Sequence, residues 1–193
     1  MISSKENLKY YLQRDRLMNG FSKQRKFFEI IKDFFFPSNI TFLRYLRKVE
    51  YYKNMKIRGI IPLYYTYKFR STSRKLGYTI GLNTCGAGLS LPHYGTIIIS
   101  AEAKLGENCR VHTCVNIGRS GGEKMAPQIG DNVYIGPSCV LFGNISIASN
   151  VTIGANATVN KSFKQEHVVI AGSPAQIVKT NYPNWMKFNK LIV

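Results

Sequence analysis

The sequence predicts a mainly β fold, a parallel β-helix of six-residue repeats behind a small α-helical N-terminal domain. Two observations carry this prediction. An aliphatic residue returns at every sixth position in the C-terminal half, and the N-terminal half has apolar residues at helical spacing. With 193 residues, 45% of them hydrophobic, the chain can bury a core of this size. No run nears the roughly 20 apolar residues that cross a bilayer, so we expect no membrane span.

The N-terminal domain, residues 1–78, is predicted to be mainly helical and strongly basic. Apolar positions within 27–35 and within 42–55 recur near the helical period, and Pro37 ends the first of these segments. A third helix is predicted over 64–76, although its alternating aromatic residues also fit a strand. Lys and Arg outnumber Asp and Glu by 18 to 5 in this domain and by 9 to 5 in the rest, which gives a net charge of +17.

The β-helix domain is predicted over residues 79–179, with a C-terminal tail at 180–193. Ten positions in steps of six, with one step of twelve, all carry Ile, Leu or Val: Ile99, Leu105, Val111, Ile117, Ile129, Ile135, Leu141, Ile147, Ile153 and Val159. Neither a helix nor a plain strand has this period. Three such units form one coil of a three-sided β-helix, in which the aliphatic residue fills the interior and Gly or Asn fits the turn.

The twelve-residue step predicts a glycine-rich loop at 118–128 that protrudes from one corner of the β-helix. The loop is no phosphate-binding P-loop, because no Gly-Lys-Ser/Thr follows its glycines.

Three segments resemble the hexapeptide-repeat acyltransferases, in their serine acetyltransferase branch: LSLPHYGTIIIS (89–100), VNIGRSGGEKMAPQIGDN (115–132) and IAGSPAQIV (170–178). The resemblance covers about residues 80–179, and a helical domain before the β-helix also fits this branch. It implies a left-handed β-helix, a homotrimer with active sites between neighbouring subunits, and transfer of an acetyl group from acetyl-CoA to a hydroxyl without a metal.

His93 is the predicted catalytic residue. It lies six residues before Ile99, where the repeat would place an aliphatic side chain, and such a local conflict is typical of functional sites. A neutral imidazole can accept the proton of a hydroxyl that attacks a thioester. Position alone favours a structural histidine bonded to the backbone, whereas the resemblance matches His93 to the catalytic histidine of the family.

Tyr94, His112 and Arg119 are the predicted acceptor-binding residues. Tyr94 adjoins His93, and His112 follows Tyr94 by one coil of 18 residues. Arg119, or Lys124, would meet an acidic sugar from the loop. The alternatives are a solvated turn histidine at position 112 and a loop without ligand contacts.

The resemblance also implies residues that bind acetyl-CoA. Gly136-Pro137 and Gly154-Ala155 are expected at matching corners of successive coils, where small residues let the cofactor approach the backbone. Gly118, which begins the loop, is also expected to bind the cofactor. Three lysines near the C-terminal end of the repeat are candidates for the phosphates, with plain surface charge as the alternative for each: Lys161, Lys164 and Lys179.

Two departures from serine acetyltransferases bear on the acceptor. The family orients its histidine with an aspartate about fifteen residues upstream, where this chain has Tyr78 and its neighbours. Met125 and Ala126 stand in place of the second histidine of the family. We therefore predict acetylation of a sugar or of a surface-polysaccharide intermediate. Serine O-acetylation in cysteine biosynthesis and a non-catalytic scaffold are the alternatives.

The basic aromatic stretch 42–58 is interpreted as a helix that packs its apolar face inside the protein. Contact with an anionic membrane, and binding of a glycan or a nucleic acid, are the alternatives, with nucleic acid the least favoured. The four cysteines lack zinc-ligand spacing and the N-terminus lacks an apolar leader. We therefore expect reduced thiols, no metal and a cytoplasmic location, free or peripheral at the inner face of the membrane.

Overall fold

The computed structural model describes residues 1–24, 28–29, 31, 36 and 38–188. The helices that it describes without gaps are α1 (Lys5–Met18), α2 (Asn39–Asn54), α3 (Ile60–Leu76) and the short α4 (Trp185–Phe188). The helix predicted within 27–35 and its end at Pro37 lie mostly outside the described residues. The other two predicted helices are confirmed, and both begin earlier than expected. Pro62 falls in the first turn of α3, where a missing N–H removes no helical hydrogen bond.

Thirteen strands lie between α3 and α4 in the described chain. They are β1 (Tyr78–Ile80), β2 (Ile97–Ile99), β3 (Lys104–Leu105), β4 (Arg110–Val111), β5 (Val115–Gly118), β6 (Gln128–Ile129), β7 (Tyr134–Ile135), β8 (Val140–Phe142), β9 (Ser146–Ile147), β10 (Thr152–Ile153), β11 (Thr158–Val159), β12 (Val169–Gly172) and β13 (Ala175–Lys179). They form three sheets, ordered β1-β2-β5-β8-β11, β3-β6-β9 and β4-β7-β10-β12-β13. All pairs are parallel except β12 with β13, so the chain winds as a three-sided coil.

The interior of the coil is the predicted aliphatic series. All ten positions of that series are buried, and so are the small residues four positions later, such as Ala103, Cys109 and Ala157. One coil takes 18 residues where Ile135 pairs with Ile153, and 24 where Leu105 pairs with Ile129 across the loop at 118–128. The twelve-residue step in the sequence is therefore one ordinary unit plus one inserted unit.

The three sheets meet at three edges, which we number for reference. The first edge joins the β4 sheet to the β2 sheet and holds residues 92–96, 112–114, 136–139 and 154–157. The second joins the β2 sheet to the β3 sheet and holds 100–103, 118–127, 143–145 and 160–162. The third joins the β3 sheet to the β4 sheet and holds 106–109, 130–133, 148–151 and 164–168.

Asparagines make the turns at the third edge. Asn108, Asn132 and Asn150 have φ of 56°, 59° and 60°, a left-handed conformation that asparagine tolerates better than most residues. Their side-chain amides form a ladder, with Asn108 Nδ2 donating to Asn132 Oδ1 and Asn132 Nδ2 to Asn150 Oδ1, both at 3.0 Å. The ladder keeps successive coils in register.

The N-terminal helices join the β-helix through a buried ion-pair network. Arg47 of α2 is fully buried and contacts Asp15 of α1 at 2.8 Å and Glu50 at 3.1 Å. It also donates to the carbonyl oxygens of Cys85 and Gly86 in the first coil. Helices and coils thus share one core, and no helix among the described residues is long and apolar enough to cross a membrane.

Candidate functional site

His93 lies in an exposed turn at the first edge and does not point into the coil. The prediction that it takes the place of an interior aliphatic residue is wrong. Ser90 pairs with Arg110, which makes the first coil 20 residues long at this point, and Leu91 fills the interior position beside Val111. Two additional residues in the turn at 92–96 carry His93 outward, where its imidazole is accessible to a ligand.

Tyr78 and Asn39 hold the backbone of this turn. The Tyr78 hydroxyl lies 2.7 Å from the His93 carbonyl oxygen and 2.8 Å from Asn39 Oδ1, and Asn39 Nδ2 donates to the carbonyl oxygen of Leu91. Burial raises the pKa of Tyr78, so its hydroxyl stays a neutral donor. Tyr78 stands fifteen residues before His93, where the resemblance led us to look for an aspartate. It fixes the main chain of His93 instead of contacting the imidazole ring.

His112 lies beside His93 at the same edge. The two ring centroids are 5.9 Å apart, and the Tyr134 ring is 5.0 Å from His112 on the other side. Burial, and secondarily the positive charge of Arg110, lower the pKa of His112 to about 4. His112 is thus a partly buried ring at a turn, neutral near pH 7, and its role in acceptor binding stays a prediction.

Arg110 also lies next to the site, although the sequence pattern did not predict it as a site residue. Its Nε lies 3.5 Å from His112 Nε2, its NH1 lies 3.3 Å from Ser90 Oγ, and its guanidinium stacks 5.2 Å over the Trp185 ring. A cavity of about 490 Å³ opens next to Arg110, between the end of α1, the start of α2 and the turn at Pro92. The signal for Arg110 was its place two residues before His112, because alternate residues of a strand share a face.

Tyr94, the residue after His93, is 71% exposed. Its side chain is free to contact a ligand at this turn, which leaves its predicted role in acceptor binding open to test.

The proposed acetyl-CoA corners continue along the first edge. His112, Gly136 and Gly154 each follow a paired strand residue, Val111, Ile135 and Ile153 respectively, so they stack in successive coils. The predicted match of the two corners is therefore found, and both lie on the edge of His93. Glycine at 136 has a structural reason besides the predicted approach of the cofactor, which stays a prediction. A Cβ there would come within 2.8 Å of the Ala155 nitrogen, so the glycine admits the next coil.

The loop and the lysines lie elsewhere in a single chain. Gly118 and Arg119 begin the loop at the second edge, at the far end of β5 from the first edge. Lys161 follows β11 at the second edge and donates to Gln176 Oε1 at 2.9 Å. Lys164 and Lys179 lie on the side of the third edge. One subunit therefore does not bring these residues to His93.

Glu123 ties the loop to the next coil. Its Oε2 accepts from the backbone N–H of Asn144 at 3.0 Å, and its own N–H donates to the carbonyl oxygen of Ser120. Most side chains from Arg119 to Met125 are exposed, whereas Ala126 and Pro127 are buried. Ala126 therefore does not offer a polar group to a ligand.

Residues 126–161 match the family model for the bacterial transferase hexapeptide, described as six repeats. A serine acetyltransferase of Staphylococcus epidermidis is 38% identical over 96 residues, or 49% of this chain and 45% of that protein. The solved serine acetyltransferase of Vibrio cholerae superposes with a TM-score of 0.73 at 20% identity, covering 94% of this chain and 69% of that one. A serine acetyltransferase solved in complex with CoA gives 0.64 at 20% identity, covering 89% and 67%.

These comparisons confirm the predicted fold class, a left-handed hexapeptide-repeat β-helix behind a small helical region. The chain spans about half the length of the curated relative it matches. The relatives are serine acetyltransferases, and the comparisons give no support to the surface-polysaccharide type predicted from the sequence. The described residues contain no group of three His, Cys, Asp or Glu side chains that could hold a metal ion.

Proposed function

We propose that this chain is an O-acetyltransferase of the serine acetyltransferase type, with acetyl-CoA as donor and His93 as general base. The observation that carries the proposal is the first edge, where His93, His112 and the Gly136 and Gly154 backbone follow one another in successive coils. The likeness to serine acetyltransferases, one of them solved with CoA, supports the reaction class.

In this mechanism the exposed His93 imidazole accepts the proton of the acceptor hydroxyl as its oxygen attacks the thioester carbonyl carbon. The tetrahedral intermediate collapses, the carbon–sulfur bond breaks, and the protonated His93 returns the proton to the leaving CoA sulfur. The neutral ring of His112 is placed to hydrogen-bond the acceptor, and Arg110 supplies a fixed positive charge beside it.

The donor would lie along the first edge with its pantetheine against the Gly136-Pro137 and Gly154-Ala155 corners. Its phosphates need cations, and Lys161, Lys164 and Lys179 are proposed for them. Since these lysines, Gly118 and Arg119 lie on other edges of the same chain, they would reach the site of a neighbouring subunit. The proposed site is therefore shared between subunits of a homotrimer.

Serine is the first acceptor to test, because the relatives are serine acetyltransferases. A sugar hydroxyl is the second candidate, and one observation favours it. Free serine carries an ammonium group that a carboxylate would bind best, yet the contacts found for His93, His112 and Arg110 include no carboxylate. Tyr78 occupies the position at which the resemblance expects an acid.

The experiment is an acceptor panel in which release of the CoA thiol reports each turnover. Purified full-length protein is given acetyl-CoA with L-serine, with neutral sugars or with acidic sugars, and kcat/KM is compared across the panel. The proposal expects thiol release that depends on an acceptor, and O-acetylated product by mass spectrometry. Efficient turnover of serine alone would assign serine as acceptor and exclude the sugar candidate. No acetyl transfer to any hydroxyl would contradict the proposed function.

A further inference from the structure

Helix α3 carries a second apolar face that no described part of the chain covers. Ile60, Leu63, Tyr64 and Tyr67 are 86%, 69%, 47% and 64% exposed. Their spacing of three, four and seven residues places them in one stripe along the helix. Three further exposed apolar residues lie near the stripe in sequence: Met55, Ile57 and Ile61. We call these seven residues the α3 surface.

This stripe is separate from the face that holds α3 to the protein. On the opposite side of the helix, Phe69 packs on Phe42 with ring centroids 5.6 Å apart, and Tyr65 lies 6.2 Å from Tyr45. A surface helix normally has one apolar stripe, directed at the core. A second, outward stripe of this size is typical of an interaction surface.

The sequence around the α3 surface is cationic. No Asp or Glu occurs between Glu50 and Glu102, while six Lys or Arg residues precede or follow the stripe: Lys53, Lys56, Arg58, Arg70, Arg74 and Lys75. Lys68 extends over the ring of Tyr64, with its Nζ 5.9 Å from the centroid. The matching partner is therefore apolar at its centre and anionic around it.

Positively charged residues also line a neighbouring cavity. Ile57 also lines a cavity of about 600 Å³ between α1 and α2, whose described walls carry Lys5, Lys9, Arg44 and Lys48. Burial, and secondarily the nearby Arg44, lower the pKa of Lys48. Asp15 is the one acidic residue among the described residues that line this cavity, and it is already paired with Arg47. A second copy of this chain, with a net charge of +17, would bring like charge to this region.

We propose that the α3 surface docks on the face of a lipid bilayer that contains anionic phospholipid. The helix lies in the interfacial plane, with the stripe of Ile60, Leu63, Tyr64 and Tyr67 among the lipid headgroups and upper acyl chains. The flanking Lys and Arg residues pair with headgroup phosphates. Since Leu76 at the end of α3 accepts a hydrogen bond from Gly95 N at 2.9 Å, docking brings the turn of His93 close to the membrane.

The test is co-sedimentation of the full-length protein, in the oligomeric state in which it purifies, with vesicles of phosphatidylcholine alone or mixed with phosphatidylglycerol. We expect binding to the mixed vesicles and at least about tenfold weaker binding to phosphatidylcholine alone. The variant I60S/L63S/Y67S should lose at least about tenfold in partition coefficient. A matched control is I177S/V178S, which removes exposed apolar residues of β13 and should leave binding unchanged.

A second arm tests the charges. R70Q/R74Q/K75Q keeps the stripe and should lose roughly a hundredfold in binding to anionic vesicles, and added salt should weaken binding of the parent protein. Light scattering on every variant reports the oligomeric state. Absence of vesicle binding, or binding that survives the stripe variant, would overturn the proposal. If the parent protein does not bind vesicles and the stripe variant dissociates into monomers, the surface would be assigned to a subunit interface. These readouts use no substrate, so they stand apart from the acetyl transfer proposed above.

Discussion

His112 shows how one residue couples the candidate site to stability. Its pKa in the folded protein is about 4, below the 6.5 of an exposed histidine, because burial disfavours the charged ring. The unfolded chain therefore binds this proton more readily. The free energy of unfolding is expected to fall as the pH drops from 6.5 towards 4.

The measurement is chemical denaturation of the parent and of His112→Gln at pH 7, 6 and 5. The variant should lose less stability than the parent over this range, because it cannot take up the proton. The difference between the two proteins removes the contributions of the remaining histidines and carboxylates. Parallel pH profiles for the two proteins would show that His112 is not held neutral.

The residues of the candidate site were only partly predictable. His93 was found as a polar residue near the repeat, but its phase was misassigned, because the two additional residues in its turn become visible only once Ser90 is paired with Arg110. Arg110 escaped notice since the period of six marks interior positions and says nothing about outward ones. The sequence showed only that Tyr78 stands where the resembling family has an aspartate. Its hydrogen bond to the His93 carbonyl oxygen depends on the fold and was not predictable.

At the scale of the elements, the ion pairs of Arg47 join α1, α2 and the first coil. Arg47→Met would leave Asp15 and Glu50 buried without their partner, and we expect a loss of about 3–5 kcal/mol in the free energy of unfolding. Lys53→Met, an exposed position of the same helix, is the matched control and should change stability by less than about 0.5 kcal/mol. Urea denaturation measures both variants. Similar small effects from the two would mean that the network does not hold the helices to the β-helix.

The coils were predictable as elements and the helices less so. The period of six predicts which residues face the interior of the coil, and all ten aliphatic positions are buried. The predicted starts of α2 and α3 fall a few residues after the observed ones, and Pro62 stands in the first turn of α3, where a proline is tolerated. The basic aromatic stretch at 42–58 mostly forms α2, whose apolar side chains are buried as expected. The exposed apolar stripe lies on α3. It was not predicted, because the alternating aromatic residues of this segment also fit a strand.

At the scale of the whole molecule, the predicted ligand-binding residues lie on three different edges of one chain. This distribution favours the assembly of several chains into an oligomer. We expect a homotrimer of about 66 kDa, three times the 21.9 kDa of one chain, because the proposed site needs the loop and the lysines of a neighbouring subunit. Light scattering coupled to gel filtration measures the mass. A fully active protein of one chain mass at the assay concentration would contradict the shared site.

The most direct test of the account is acetyl transfer by His93→Ala beside the parent protein, with the best acceptor of the panel. The account predicts a loss of roughly 10²–10⁴-fold in kcat, the usual contribution of a positioned general base. CoA affinity and particle mass should stay unchanged, since His93 is exposed and carries no core contact. A variant that keeps kcat within about threefold of the parent would contradict His93 as the base and with it the proposed mechanism.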